Sequence, residues 1–88
     1  MDVAFESRFA KDLKRIQDAS LRRRVKQLIN ETQNASSKHE IPNLTKLKGF
    51  SSYYRIRIGN YRIGLEIIDT RVIFVRILHR KAIYRYFP

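Results

Sequence analysis

Residues 53–67, Tyr53-Tyr54-Arg55-Ile56-Arg57-Ile58-Gly59-Asn60-Tyr61-Arg62-Ile63-Gly64-Leu65-Glu66-Ile67, decide the fold. Their period is two. Ile56 and Ile58 fall on one face of a strand and Arg55 and Arg57 on the other. Gly59-Asn60 follows directly, a two-residue hairpin signal that needs positive φ. The return strand places Tyr61, Ile63, Leu65 and Ile67 on the apolar face and Arg62, Gly64 and Glu66 on the charged one. The tight turn therefore sets Arg55, Arg57 and Arg62 side by side.

Outward from this hairpin, Asp69-Thr70 or Thr70-Arg71 makes the next turn. Val72–Leu78 is apolar on both faces apart from Arg76, which marks a central strand. Toward the N-terminus the period changes. Phe5, Phe9, Leu13 and Ile16 recur at helical spacing, after a weakly signalled strand over Asp2–Phe5. Asp18 or Ser20 can cap a second helix striped by Leu21, Val25, Leu28 and Ile29. The short connection Gln17–Ser20 makes the two helices a hairpin. Polar residues 34–40 end the second helix, and Pro42 blocks its continuation. The expected fold class is α+β, in the order strand, helix, helix, strand, strand, strand. The helix pair packs on one face of a small, mainly antiparallel twisted sheet and leaves the Arg-bearing face open. Residues 1–88 are expected to form one domain.

Charge gives the function class. The formal net charge is +11, and it is uneven. In residues 1–20, Arg8, Lys11, Lys14 and Arg15 are balanced by Asp2, Glu6, Asp12 and Asp18. From residue 44 on, Lys46, Lys48, Arg55, Arg57, Arg62, Arg71, Arg76, Arg80, Lys81 and Arg85 face only Glu66 and Asp69. A sheet with that much unpaired positive charge calls for a polyanion, and phosphate is the leading one. The bland alternative is charge spread for solubility and loose phosphate contact. With no Cys, disulfides and thiolate metal sites are excluded. His39 and His79 stand in different settings, which argues against structural zinc. No apolar run approaches the roughly 20 residues of a membrane span. The N-terminus has no apolar signal region. A cytoplasmic protein is expected.

Guanidinium groups stay charged and grip phosphate oxygens bidentately, so Arg55, Arg57 and Arg62 together can hold consecutive phosphates or one reacting phosphate. Any one of them alone reads equally well as a solvated strand residue. The last strand ends in His79-Arg80-Lys81-Ala82-Ile83-Tyr84. His79 is a candidate general acid or base, though a lone strand-end His is more often a hydrogen-bonded structural residue. Tyr84 offers a phenol for proton transfer or a ring for base stacking. Arg80 can stabilise a pentacoordinate phosphorane. Ile83 and Phe87 read as anchors for the C-terminal tail. Glu66 reads as an ion-pair partner before a base.

Leu47-Lys48-Gly49, Tyr54–Ile63, Glu66-Ile67 and His79–Tyr84 together resemble the RelE/ParE superfamily, the toxins of type II toxin–antitoxin systems. The resemblance covers nearly the whole chain. Its RelE branch implies an endoribonuclease that cuts mRNA in the ribosomal A site without metal or other cofactor, by attack of the 2′-hydroxyl on the adjacent phosphate. Carried over, Arg62, His79, Arg80 and Tyr84 become catalytic candidates. Lys46, Lys48, Arg55 and Arg57 become RNA-phosphate ligands. Where a branch uses Lys for proton transfer, Arg57 cannot serve, because its pKa exceeds about 12; the proton work then passes to His79 or Tyr84. The implied partners are the ribosome with its mRNA and an acidic antitoxin encoded alongside, in a hetero-oligomer. Two rival readings are a ParE-like inhibitor of DNA gyrase and a non-catalytic RNA- or ribosome-binding module.

Overall fold

In a computed structural model that describes residues 1–88, the 53–67 stretch forms the expected hairpin. Strand β3 (Tyr53–Ile58) pairs antiparallel with β4 (Tyr61–Ile68), in a register that sets Ile56 beside Ile63 and Arg57 beside Arg62. Gly59 takes the positive φ of the turn, +59°. β5 (Arg71–His79) returns along β4 through a turn at Asp69-Thr70, where Asp69 has φ +54°. Asp and Asn tolerate that left-handed conformation better than most residues, which places the turn one residue before Arg71.

Two further strands complete the sheet. β1 (Asp2–Phe5) runs parallel to β5, and β2 (Leu44–Lys46) runs antiparallel to β3, giving the order β1-β5-β4-β3-β2. The parallel pair is possible because two helices intervene in sequence. Helix α1 (Ser7–Arg15) ends in Lys14 and Arg15, which complement the helix dipole. Helix α2 (Ala19–Asn34) is capped by Asp18, whose Oδ1 accepts from the peptide N–H groups of Ser20 (2.9 Å) and Leu21 (3.1 Å). Arg22 donates to the carbonyls of Leu13 and Ile16, fastening the start of α2 to the end of α1.

Both helices cover the apolar sheet face. Phe9, Ile16, Leu21, Val25 and Leu28 are buried against Ile56, Ile63, Leu65, Val72, Phe74 and Ile77. Each such side chain contributes about 1.5–3 kcal/mol. Nine-residue α1 is too short to be stable alone, so it depends on this burial. Thr32, fully buried, satisfies its hydroxyl on the carbonyl of Leu28 at 2.8 Å.

Three expectations need correction. Phe5 does not begin the first helix: it closes β1 opposite Phe74, half exposed, and stacks on Phe9 and Phe74. Its four-residue spacing to Phe9 mimics a helix face, but strand pairing prevails. The sheet gains β2, whose three residues are too few to show a period. Last, the Arg-bearing face is not fully open. A C-terminal helical turn, α3 (Ile83–Tyr86), lies across it, with Ile83 and Phe87 buried beneath as anchors. No helix is long and apolar enough to cross a membrane.

Candidate functional site

The pleat puts Tyr53, Arg55 and Arg57 of β3 on the face away from α1 and α2. Glu66, Gly64 and Arg62 of β4 lie opposite them on that face. Arg62 is the fixed point. Its Nη1 donates to the carbonyls of Gly59 (3.0 Å) and Tyr61 (2.8 Å), so the hairpin turn itself holds the guanidinium in place. Partial burial, then the charges of Arg55 and Arg57, lower its pKa from the ordinary Arg value. Arg80 acts in the same direction and Tyr84 opposes it. These four arginines and Tyr84 therefore share one electrostatic neighbourhood.

None of these arginines forms an ion pair with a carboxylate. Glu66 is committed to Ser52 Oγ at 3.0 Å, and the ion pair of this molecule lies elsewhere, between Asp12 and Arg76. Arg55, Arg57 and Arg62 line an open pocket of about 220 Å³, completed by Asn43 and Thr45. Thr45 comes from β2, opposite Arg55 in the register. Sequence reasoning missed both residues. The positive φ of Asn43 (+59°) after Pro42 is a readable turn signal; Thr45 carries none.

The C-terminal segment supplies the rest. The peptide N–H of Arg80 donates to the carbonyl of Asn60 (2.8 Å), tying the end of β5 to the hairpin turn. Tyr84 on α3 is 59% exposed, and the Arg55 guanidinium carbon lies 6.0 Å from its ring centroid. Tyr84 is thus held at the cluster yet remains open to a ligand.

Not every candidate converges here. His79 pairs with Tyr61 across the β4–β5 ladder, and both belong to the helix-facing side. His79 lines a separate pocket with Asp12, Arg15 and Ile16 of the helical layer, and its Nδ1 accepts from the peptide N–H of Lys81 at 3.2 Å. Pleat parity separates it from Arg62, whose neighbour on β5 is Leu78. Lys46 is likewise on the other face: it lines a groove with Lys38, His39 and Tyr54. Lys48 is exposed in the loop between β2 and β3, at the sheet end away from the Gly59-Asn60 turn.

Chemically, the converged set offers several guanidinium groups that could bind phosphate and one phenol beside them. The guanidinium groups can bind phosphate oxygens and spread developing negative charge, but they cannot exchange protons near neutral pH. Tyr84 can.

Comparison with known proteins identifies the family. Residues 3–84 match the family described as the ParE toxin of type II toxin–antitoxin systems. The chain is 48% identical to Toxin RelE3 of Methanocaldococcus jannaschii, with both chains covered in full. It is 31% identical to the putative toxin RelE1 of the same organism, over 91% of this chain and 89% of that one. Among solved structures it superposes on a chain of the RelB–RelE antitoxin–toxin complex from Methanococcus jannaschii with a TM-score of 0.83 and 47% identity. That match covers 97% of this chain and 99% of the other. The intact E. coli RelBE complex shares the fold at 21% identity, with a TM-score of 0.66 over 86% of this chain and 92% of that one.

Proposed function

Because this chain belongs to the RelE/ParE superfamily of type II toxin–antitoxin toxins, we propose that it cuts messenger RNA in the ribosomal A site. The observation that carries this reading is the grouping of Arg55, Arg57 and Arg62 on one sheet face, none in an ion pair, with the Tyr84 ring 6.0 Å from Arg55. A passive binder needs charge but no phenol beside it.

In the proposed reaction the 2′-hydroxyl oxygen attacks the adjacent phosphorus and the P–O5′ bond breaks. The products are a 2′,3′-cyclic phosphate and a 5′-hydroxyl. One proton leaves the 2′-hydroxyl and one is delivered to the departing 5′-oxygen. Arg55 and Arg57 bind the phosphate oxygens. Arg62, fixed by the turn carbonyls, is aimed at the charge that develops on the phosphorane, with Arg80 beside it. Removing one such donor costs about 10²–10³ in rate. Tyr84 is the group in this set able to transfer a proton, a contribution of about 10²–10⁴. His79, turned to the other face, takes no part in this reading.

The solved relative of 47% identity is the toxin of a RelB–RelE antitoxin–toxin complex. By extension this toxin works in the cytoplasm and is held in check by a cognate antitoxin in a hetero-oligomer. An acidic antitoxin would complement the net charge of +11.

The test is induced expression in a bacterium with primer extension on an abundant message. Discrete cuts at fixed codon positions, dependent on translation of that message, support the proposal. A second reading, gyrase inhibition, is favoured by the ParE description of the matched family. It predicts growth arrest with intact messages and early DNA-damage signalling.

A further inference from the structure

Gly64 is a glycine for reasons of space. Its φ is not positive, so its backbone conformation is open to any residue. Yet a Cβ built on it would lie 2.5 Å from Cγ and Cδ2 of Phe87 and 2.7 Å from Cδ1. The Phe87 ring thus lies flat on the backbone of β4, in a slot made by a missing side chain. Tyr53 closes that slot edge-on, with ring centroids 5.6 Å apart, and Phe87 is 2% exposed.

This contact, together with the fully buried Ile83, anchors α3. A four-residue helical turn has no stability of its own, so whatever fastens it decides where it sits. The peptide N–H of Phe87 donates to the carbonyl of Ile83 (2.8 Å), which joins the anchor to the turn. On its other side, the Tyr86 ring lies 5.7 Å from the Arg76 guanidinium, itself held by Asp12. Tyr84 precedes these two fastenings on the same helical turn, and its own ring meets only Arg55 among charged partners.

We propose that Gly64 and Phe87 are positioning residues for Tyr84: the ring-on-glycine contact sets α3 on the sheet so that the Tyr84 phenol meets the guanidinium cluster. The inference rests on the reading of Tyr84 given under Proposed function. Without the contact α3 lifts, and Tyr84 leaves the site while the phosphate clamp on β3 and β4 stays intact.

The test uses Gly64→Ala, which adds one methyl group on unstrained backbone and so leaves the main core untouched. Hydrogen exchange on the purified chain should show the peptide N–H groups of Arg85 and Phe87 exchanging at least about tenfold faster, while those of Ile63 and Phe74 are unchanged. Gly64→Ala with Phe87→Leu, which makes room for the new methyl, should restore most of that protection. Message cleavage on ribosomes should fall about a hundredfold in Gly64→Ala, the usual cost of a misplaced catalytic group. Combined with Tyr84→Ala, it should be no worse than Tyr84→Ala alone, because both act through the same phenol. Unchanged exchange at Arg85 and Phe87, or losses that add in the double variant, would overturn the proposal. If Tyr84→Ala alone leaves cleavage intact, the site reading fails, and the exchange data still decide whether Gly64 and Phe87 hold α3.

Discussion

The carboxylate of Asp12 on α1 takes up the edge of β5 just beyond the point where β1 ends. Its Oδ2 accepts from Arg76 Nε (2.8 Å) and from the peptide N–H of Ile77 (3.1 Å), and its Oδ1 accepts from Arg76 Nη2 (3.1 Å). A β-bulge makes this possible. Gly64 pairs with Arg76 and Leu65 with Phe74, so Val75 is the extra residue and Arg76 turns out over the strand edge. There Arg76 meets Asp12 on one side and Tyr86 on the other. One ion pair therefore links the helical layer to the C-terminal turn.

Removing Asp12 should be costly. Asp12→Ala leaves the Ile77 N–H and a largely buried guanidinium without their acceptor, an expected loss of about 3 kcal/mol in urea denaturation. The hydrogen bond that Arg76 donates to Asp12 raises the Arg76 pKa above its ordinary value, against a smaller opposing effect of burial. A raised value means stabilisation that is fully present below the unfolded pKa and lost only in strong alkali, so Arg76 itself adds no pH dependence near neutrality. A loss well under 1 kcal/mol would mean that water replaces the carboxylate at no cost.

The guanidinium groups of the cluster repel one another. Arg62 has a lowered pKa, so its charged form is disfavoured in the folded state, and this cost is relieved only as the pH rises through the folded value. Arg57→Gln removes one of the charges responsible. Its melting temperature should exceed that of the wild type at low salt, by the equivalent of a few tenths of a kcal/mol. The gain should vanish near 1 M salt, where the screening length is about 3 Å. A gain that persists at high salt would point to packing, not repulsion.

RNA affinity should register the same charges. If Arg55 binds a backbone phosphate, Arg55→Gln should make the slope of log K against log salt shallower by about 0.7, the value for one phosphate of a single strand. Lys46→Gln, on the opposite face, should leave the slope unchanged. Equal changes for both variants would show diffuse attraction by the whole basic surface.

The position of His79 gives a sharper test of the chemistry. His79→Gln keeps a side-chain acceptor near the Lys81 N–H and lies across the sheet from Arg62. Ribosome-dependent message cleavage should stay within about threefold of wild type, whereas Tyr84→Phe should lose about a hundredfold or more. The reverse pattern would move the proton transfer to the histidine and require its face of the sheet to meet the RNA.

Much of this was legible in the chain. Alternation in Tyr54–Ile58 and Tyr61–Ile67, with Gly59-Asn60 between them, was enough to bring Arg55, Arg57 and Arg62 onto one face, because pleat and tight turn are local rules. The stripe Leu21, Val25, Leu28 and the Asp18 cap gave the second helix for the same reason. The local pattern misled at Phe5, whose spacing suits a helix and whose partner, Phe74, lies 69 positions away in the sequence.

The sequence by itself determined the α+β class, the apolar face of the sheet, the uneven basic charge and the placement of Arg55, Arg57 and Arg62 on one face of β3 and β4. Each of these follows from spacing within a few residues. Only the tertiary structure decided which candidates meet. It turned His79 and Lys46 away by strand parity and register, brought Asn43 and Thr45 to the arginines through a three-residue strand, and laid Phe87 on Gly64 so that Tyr84 reaches Arg55. Those outcomes depend on contacts between segments far apart in sequence, whose geometry no local period encodes.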